Sequence, residues 1–367
     1  MHALATRSAS PEALRRGARA DDTVQADAAQ GAICGVGRPT GLSRKGRAGM
    51  TRTPWRWGRV IAPAVVLAVV IWRVGSGPFL QGLHAVDGAT LAAGACIVAL
   101  TTVCCAWRWT IVSRGLGVEL SLSSAVAAYY RALFLNVTLP GGILGDVHRA
   151  VSHGRDVRDL SGALRSVVWE RFAGQVVQVG LTVVVLLALP SPVQAAMPLV
   201  AGSLVLAVAT VALAIRLWPD GSSAWTRVCS ASAADIKGAL LARRAWLPIA
   251  LASALVVAGH AIMFVIATRS AGTGAPLSRT LPLALLATLA MVLPNIGGWG
   301  PREGVTAWAF AAAGLGAGRG VATAVVYGLM VLVASLPGAA VLLVAWFRGT
   351  RLAKRNERPL REGAAHV

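Results

Sequence analysis

Long apolar runs dominate the chain, and short polar clusters interrupt them. The apolar segments fall at 60–74, 88–107, 120–139, 172–189, 194–217, 247–268, 281–293, 305–315 and 320–347. Runs such as "VIAPAVVLAVVIW" and "VVYGLMVLVASLPGAAVLLVAWF" are continuous, not alternating. A run as long as the second crosses a hydrocarbon core as a helix, whereas barrel strands alternate apolar and polar positions. The pattern predicts an all-α polytopic helical membrane protein and excludes a closed β-barrel.

Arginine and lysine orient the segments, because short cytoplasmic loops carry an excess of both. The 108–117 connection holds Arg108 and Arg114. The 148–171 region holds Arg149, Arg155, Arg158, Arg165 and Arg171. The 216–244 loop holds Arg216, Arg227, Lys237, Arg243 and Arg244. These read as cytoplasmic. The 75–87 connection has neither residue type and 190–193 is "PSPV", so both read as outside. Segment 120–139 then starts inside and is followed by a basic region that is also inside, so it reads as a re-entrant hairpin. Near the C-terminus, 281–293 and 305–315 are each too short to span comfortably. They read as a second hairpin entering from the outside. The expected total is about six full crossings plus two re-entrant broken-helix hairpins, with both termini cytoplasmic.

The two breaks resemble each other. The first is "LNVTLPGGILGDVHRA", with Pro140, Gly141, Gly142, Gly145, Asp146 and Arg149. The second is "LPNIGGWGPREG", with Pro294, Gly297, Gly298, Gly300, Arg302 and Glu303. Paired Gly/Pro-interrupted apolar segments in two halves point to an inverted-repeat transporter site. Irregular backbone at membrane depth is tolerated only where protein buries it or water reaches it. One such loop reads as helix punctuation or small-residue packing. Two, each with an arginine and a carboxylate, read as a substrate site. Freed N–H groups at the following half-helix N-termini would add anion affinity.

Composition agrees with the pattern. Of 367 residues, 56% are hydrophobic and 14% charged, and mean hydropathy is +0.64. The net charge of +20 concentrates at the ends. Residues 1–59 carry eleven Arg/Lys against four acids and 348–367 carry six against two, together +11. Such tails mark the cytoplasmic side and attract anionic headgroups. Neither tail shows aromatic interleaving, so no nucleic-acid partner is expected. Residues 1–54 read as a disordered basic tail, 55–347 as the transmembrane domain and 348–367 as a basic cytoplasmic tail. No apolar signal-peptide core lies near the start. The entry into the first helix follows Met50, so 1–49 is expected to be dispensable.

Ionisable residues inside apolar segments are functional candidates by default. Glu170 and Arg171 lie in "SVVWERFAGQVV" and join the two break motifs as candidates. Arg forks suit phosphate oxygens, and Asp146, Glu170 and Glu303 would position them or meet a positive headgroup. Arg108 and Arg165 read as interfacial snorkelling and local salt bridges. His260 reads as a neutral histidine bonded to a neighbouring helix. His148 and His153 are loop residues without partners for a metal. The Asn136-Val137-Thr138 sequon reads as chance at membrane depth. Five cysteines form no C-x-x-C pair. There is no P-loop, G-x-S-x-G elbow or H-E-x-x-H. No cofactor or metal is expected.

At the two breaks the chain resembles the transmembrane region of lysylphosphatidylglycerol synthases, the flippase-like family that includes the multiple peptide resistance factor. "LPGGILGDVHRA" is similar to that family's Pro-Gly-Gly-x-Gly-Gly-Asp-x-x-Arg segment, with Leu144 where a second glycine is common. "SVVWERFAG" and "LPNIGGWGPREG" resemble its following helix and its late element. The resemblance covers about 55–347. It implies a membrane domain that moves lipid-linked substrates between leaflets. The soluble aminoacyltransferase domain of the full-length enzymes has no counterpart after residue 347, so that activity is not expected.

Three functional readings follow. The first is a flippase-like transporter of a lipid with a phosphate-bearing headgroup in the cell membrane. The second is a membrane component or accessory of a lipid- or glycan-modifying transferase, with that enzyme as partner. The third is a non-transporting scaffold for such an enzyme.

Overall fold

The computed structural model describes residues 71–217, 224–293, 295 and 299–363, with isolated positions at 65, 68 and 69. The described residues are helical and contain no strand. In order they form α1 (Gly77–His84), α2 (Gly88–Gly115), α3 (Leu122–Thr138), α4 (Leu144–Asp156), α5 (Leu160–Ala188) and α6 (Met197–Leu217). After them come α7 (Ala224–Asp235), a π-turn (Ile236–Leu240), α8 (Trp246–Ser270), α9 (Leu277–Ala290), α10 (Pro301–Ala312) and α11 (Ala317–Gly363).

Helices α2, α5 and α8 and the stretch Ala317–Phe347 of α11 are long and apolar enough to cross a membrane. Many large side chains on them face outward, among them Leu100, Val184 and Leu343. Such a surface suits acyl chains and would be a liability in water. Helix α6 is a further 21-residue element. The expected crossing at 60–74 lies mostly outside the described residues, as does the tail 1–54.

Several boundaries differ from the sequence reading, each for an identifiable reason. The 75–87 connection contains α1, with Pro78 in its first turn. The basic region 148–171 is not a loop. It is the end of α4 and the first turns of α5, so His148 and His153 are helical. Polar residues there hid the helical period because their partners lie on other helices. Helix α11 continues through the basic stretch to Gly363.

Both expected hairpins are present as broken helices. Helix α3 ends at Thr138 and α4 restarts at Leu144. The two run antiparallel: Gly145 meets Asn136, and Arg149 meets Tyr129 one turn further along. They approach so closely that a Cβ on Gly145 would lie 2.0 Å from the Ala132 carbonyl oxygen. Helix α9 ends at Ala290 and α10 restarts at Pro301. Helix α11 closes the bundle and packs on α3, where a Cβ on Gly338 would strike the Tyr130 carbonyl. Its central residues Val326, Tyr327 and Met330 share a buried core with Phe264 of α8, Leu283 of α9 and Phe310 of α10.

Candidate functional site

The first break turns on two glycines in the left-handed region, Gly141 (φ +107°) and Gly142 (φ +66°), which L-residues with side chains rarely adopt. Gly141 N–H donates to the Asn295 carbonyl at 2.8 Å. A Cβ on Gly142 would sit 2.7 Å from Asn295 Nδ2. The tips of the two breaks therefore touch, although 154 positions separate Gly141 from Asn295. Pro294, Gly297 and Gly298 lie outside the described residues.

Below the first tip, Asn136 ties the hairpin together. Its Oδ1 accepts from Gly145 N–H at 2.7 Å, and its Nδ2 donates to Asp146 Oδ2 at 3.3 Å. Arg149 then points into the bundle with its side chain fully buried. Its guanidinium lies 4.2 Å from the Tyr129 ring centroid and 4.7 Å from that of Trp109. Arg149 Nε donates to Asp146 Oδ1 at 2.9 Å and Nη2 to Glu170 Oε2 at 2.7 Å. Glu170 Oε1 accepts from Arg108 Nε at 2.9 Å and also from Arg108 Nη2. Arg108 Nη1 continues to Ser253 Oγ at 2.9 Å. Arg171 donates to Asp146 Oδ1 through Nη2 at 2.7 Å. One polar network thus joins α2, α3, α4, α5 and α8.

The network holds three arginines against two carboxylates, a surplus of one positive charge. Arg149 and Glu170 are fully buried, while the Arg171 side chain is 45% exposed. Ion pairs of this depth persist only when each charge is matched and hydrogen-bonded. Three buried atoms beside Trp109 have no protein hydrogen-bond partner: Arg149 Nη1, Tyr129 Oη and His153 Nε2.

A second, neutral cluster stands behind the other break. Gly300 has φ +114°. Its N–H donates to Glu303 Oε2 at 2.6 Å, and Glu303 Oε1 accepts from Arg302 Nε at 2.9 Å. Both side chains are buried. The guanidinium lies between the Trp299 and Tyr327 rings, with centroids 5.5 and 5.2 Å away. Gly328 makes room for it, since a Cβ there would be 2.6 Å from Arg302 Nη2. Tyr327 Oη also bonds His260 Nδ1 at 2.8 Å, linking α11 to α8.

The structure thus brings Gly141, Gly142, Gly145, Asp146, Arg149, Glu170 and Arg171 together, and groups Gly300, Arg302 and Glu303 separately. One donor of each half-helix N-terminus is already taken: Asn136 occupies the Gly145 N–H and Glu303 occupies the Gly300 N–H. One expectation changes. Arg108 is not a snorkelling interfacial residue. It is 5% exposed and holds the other oxygen of Glu170. Its place in "AWRWTIV", well inside an apolar run, was the available signal. Asn136 and Asn295 were also missed, because neither side-chain amide stands out until the two breaks are folded. Arg165 is half exposed and pairs with Asp235, which also accepts from Trp169 Nε1 at 2.9 Å.

Two broken-helix hairpins touching at their tips, backed by buried charge and flanked by apolar spans, define a polytopic membrane protein with irregular backbone inside the bundle. The model of the lysylphosphatidylglycerol synthase TM region matches residues 57–338, which takes in both breaks and well over half of the chain. The chain belongs to that family. No curated protein matches it.

Proposed function

We propose that the protein moves an amphiphilic lipid with a phosphate-bearing headgroup between the leaflets of the cell membrane. The observation that carries this reading is the meeting of the two breaks at Gly141 and Asn295, directly above a buried cluster with one surplus positive charge. The two hairpins are read as halves of an inverted repeat, entering from opposite sides and meeting where a substrate headgroup would cross. The basic ends of the chain favour cytoplasmic termini.

Each residue has a distinct role. Arg149 and Arg302 are buried and bonded, so they hold their hairpins in the closed arrangement. Arg171 is the accessible cation. Its bond to Asp146 is exchangeable for a phosphate oxygen, because Asp146 keeps Arg149 as a partner. Parting of the tips would break the Gly141–Asn295 bond and uncover Arg149 Nη1, the unpaired donor of the cluster. The acyl chains would stay in lipid beside the outward apolar faces.

Reconstitution of the full chain in liposomes with labelled phospholipids tests this. Arg171→Gln removes one charge-assisted bond of about 1.5–3 kcal/mol to the headgroup. That corresponds to a fall in translocation rate of about tenfold or more, with thermal stability near wild type. Equal rates for an active wild type and both Arg171→Gln and Arg149→Gln would overturn the assignment.

A further inference from the structure

A second polar feature lies away from the two tips. An open groove of about 440 Å³ runs between the first hairpin and α11. Its lining includes Ser124 and Arg131 of α3, Asp156 at the end of α4, and Ala340, Val341 and Val344 of α11. Asp156 is seven residues along α4 from Arg149, which at 1.5 Å per residue is about 10 Å. The groove shares no lining residue with the charge cluster at Arg149 and is a separate place.

Its chemistry is unusual for the side of a membrane bundle. Arg131 Nε is buried and has no hydrogen-bond partner. Among the described residues, Arg131 and Asp156 form no ion pair with each other or with any other group. One cation and one anion thus line the same groove without neutralising one another. An unmatched arginine beside lipid is costly unless something from the bilayer pairs with it. The opposite wall is apolar and continues into outward-facing Leu343 and Phe347. Polar groups at one end and an apolar wall along the other match an amphiphile.

The charges select among amphiphiles. A purely anionic headgroup would satisfy Arg131 and be repelled by Asp156. A purely cationic one would do the reverse. A headgroup carrying both a phosphate and an ammonium answers both at once. We propose that this groove binds a zwitterionic phospholipid of the phosphoethanolamine type, with the phosphate on Arg131, the ammonium on Asp156 and an acyl chain along Ala340–Ala345. The inference needs the bundle to sit in a bilayer and does not depend on transport. A protein inactive in translocation would still bind the lipid, and a failed binding test would leave the transport reading standing.

The test is native mass spectrometry of the purified full chain. It is titrated with phosphatidylethanolamine, phosphatidylglycerol and diacylglycerol of identical chains. For wild type, phosphatidylethanolamine is expected to bind about tenfold more tightly than phosphatidylglycerol, and diacylglycerol most weakly. Arg131→Gln should weaken both phospholipids about tenfold. Asp156→Asn should weaken phosphatidylethanolamine alone, down to the phosphatidylglycerol level. Val341→Trp, which fills the groove without changing charge, should weaken all three. Arg131→Lys keeps the charge without the guanidinium fork and should bind both phospholipids more tightly than Arg131→Gln does. It guards against a folding defect in Arg131→Gln. Phosphatidylethanolamine binding no tighter than phosphatidylglycerol in wild type, or unchanged in Arg131→Gln and Asp156→Asn, would overturn the proposal.

Discussion

Glutamine at position 170 keeps the shape of the buried carboxylate and removes its charge. Glu170 uses its two oxygens on two different helices. Oε1 takes Arg108 Nε at 2.9 Å and also Nη2, and Oε2 takes Arg149 Nη2 at 2.7 Å. A glutamine has one acceptor oxygen, so one guanidinium must face its NH2 group. Arg108 sends two bonds and would keep the oxygen. Donor would then meet donor at Arg149. Losing a hydrogen bond to a charged group costs about 1.5–3 kcal/mol. Leaving a buried charge under-compensated raises the total to about 3–5 kcal/mol. That corresponds to an apparent Tm lowered by on the order of 10 °C. Thermal unfolding of the detergent-purified protein measures it, with Arg108→Gln and the double variant completing a mutant cycle. The two single changes should be non-additive by about 0.5–3 kcal/mol, because each removes the same contact. A Glu170→Gln variant within about 1 kcal/mol of wild type, or an additive double variant, would refute the claim that this carboxylate ties α2, α4 and α5 together.

Three further outcomes are expected. Gly145→Ala should destabilise the chain by at least the 1–3 kcal/mol typical of overpacking, roughly, since its Cβ would meet backbone, the Ala132 carbonyl, at 2.0 Å; unfolding at the wild-type temperature would contradict the tight α3–α4 approach. Gly328→Ala should cost about 1–3 kcal/mol by displacing the Arg302 guanidinium, and the same change made in an Arg302→Met background should cost much less in the same melt, because the clashing guanidinium is gone. Arg165→Gln should change stability by about 1 kcal/mol or less, because its side chain is 47% exposed, and a large drop in Tm would show that the Asp235 pair is not a surface contact.

Much of the architecture was legible from local chemistry. Apolar runs announced the spans, because lipid contact demands apolar side chains over the whole length of a helix. Pro140, Gly141, Gly142, Gly145 and Gly300 announced the breaks, because proline stops a helix and glycine permits positive φ or close backbone approach. Arginine counts located the re-entrant segments. The charge cluster was partly legible, since Asp146, Arg149, Glu170 and Arg171 stand out in apolar surroundings. What was misread shares a cause. Helix α4 and the first turns of α5 looked like a loop because they are polar, and Arg108 looked like an anchor. In each case the compensating partner is remote: Glu170 is 62 positions from Arg108 and 21 from Arg149.

By itself, the sequence determined a helical membrane protein, the positions of its two interruptions and the residue types placed beside them. Hydropathy, proline and glycine act within a few residues of themselves, so they can be read in order along the chain. Tertiary structure alone decided which charges neutralise one another, that Asn136 and Glu303 each occupy one half-helix donor, and that Gly141 meets Asn295. Coulombic and hydrogen-bonded pairing acts over a few ångströms in space, and only the packing of the helices sets which distant residues come that close.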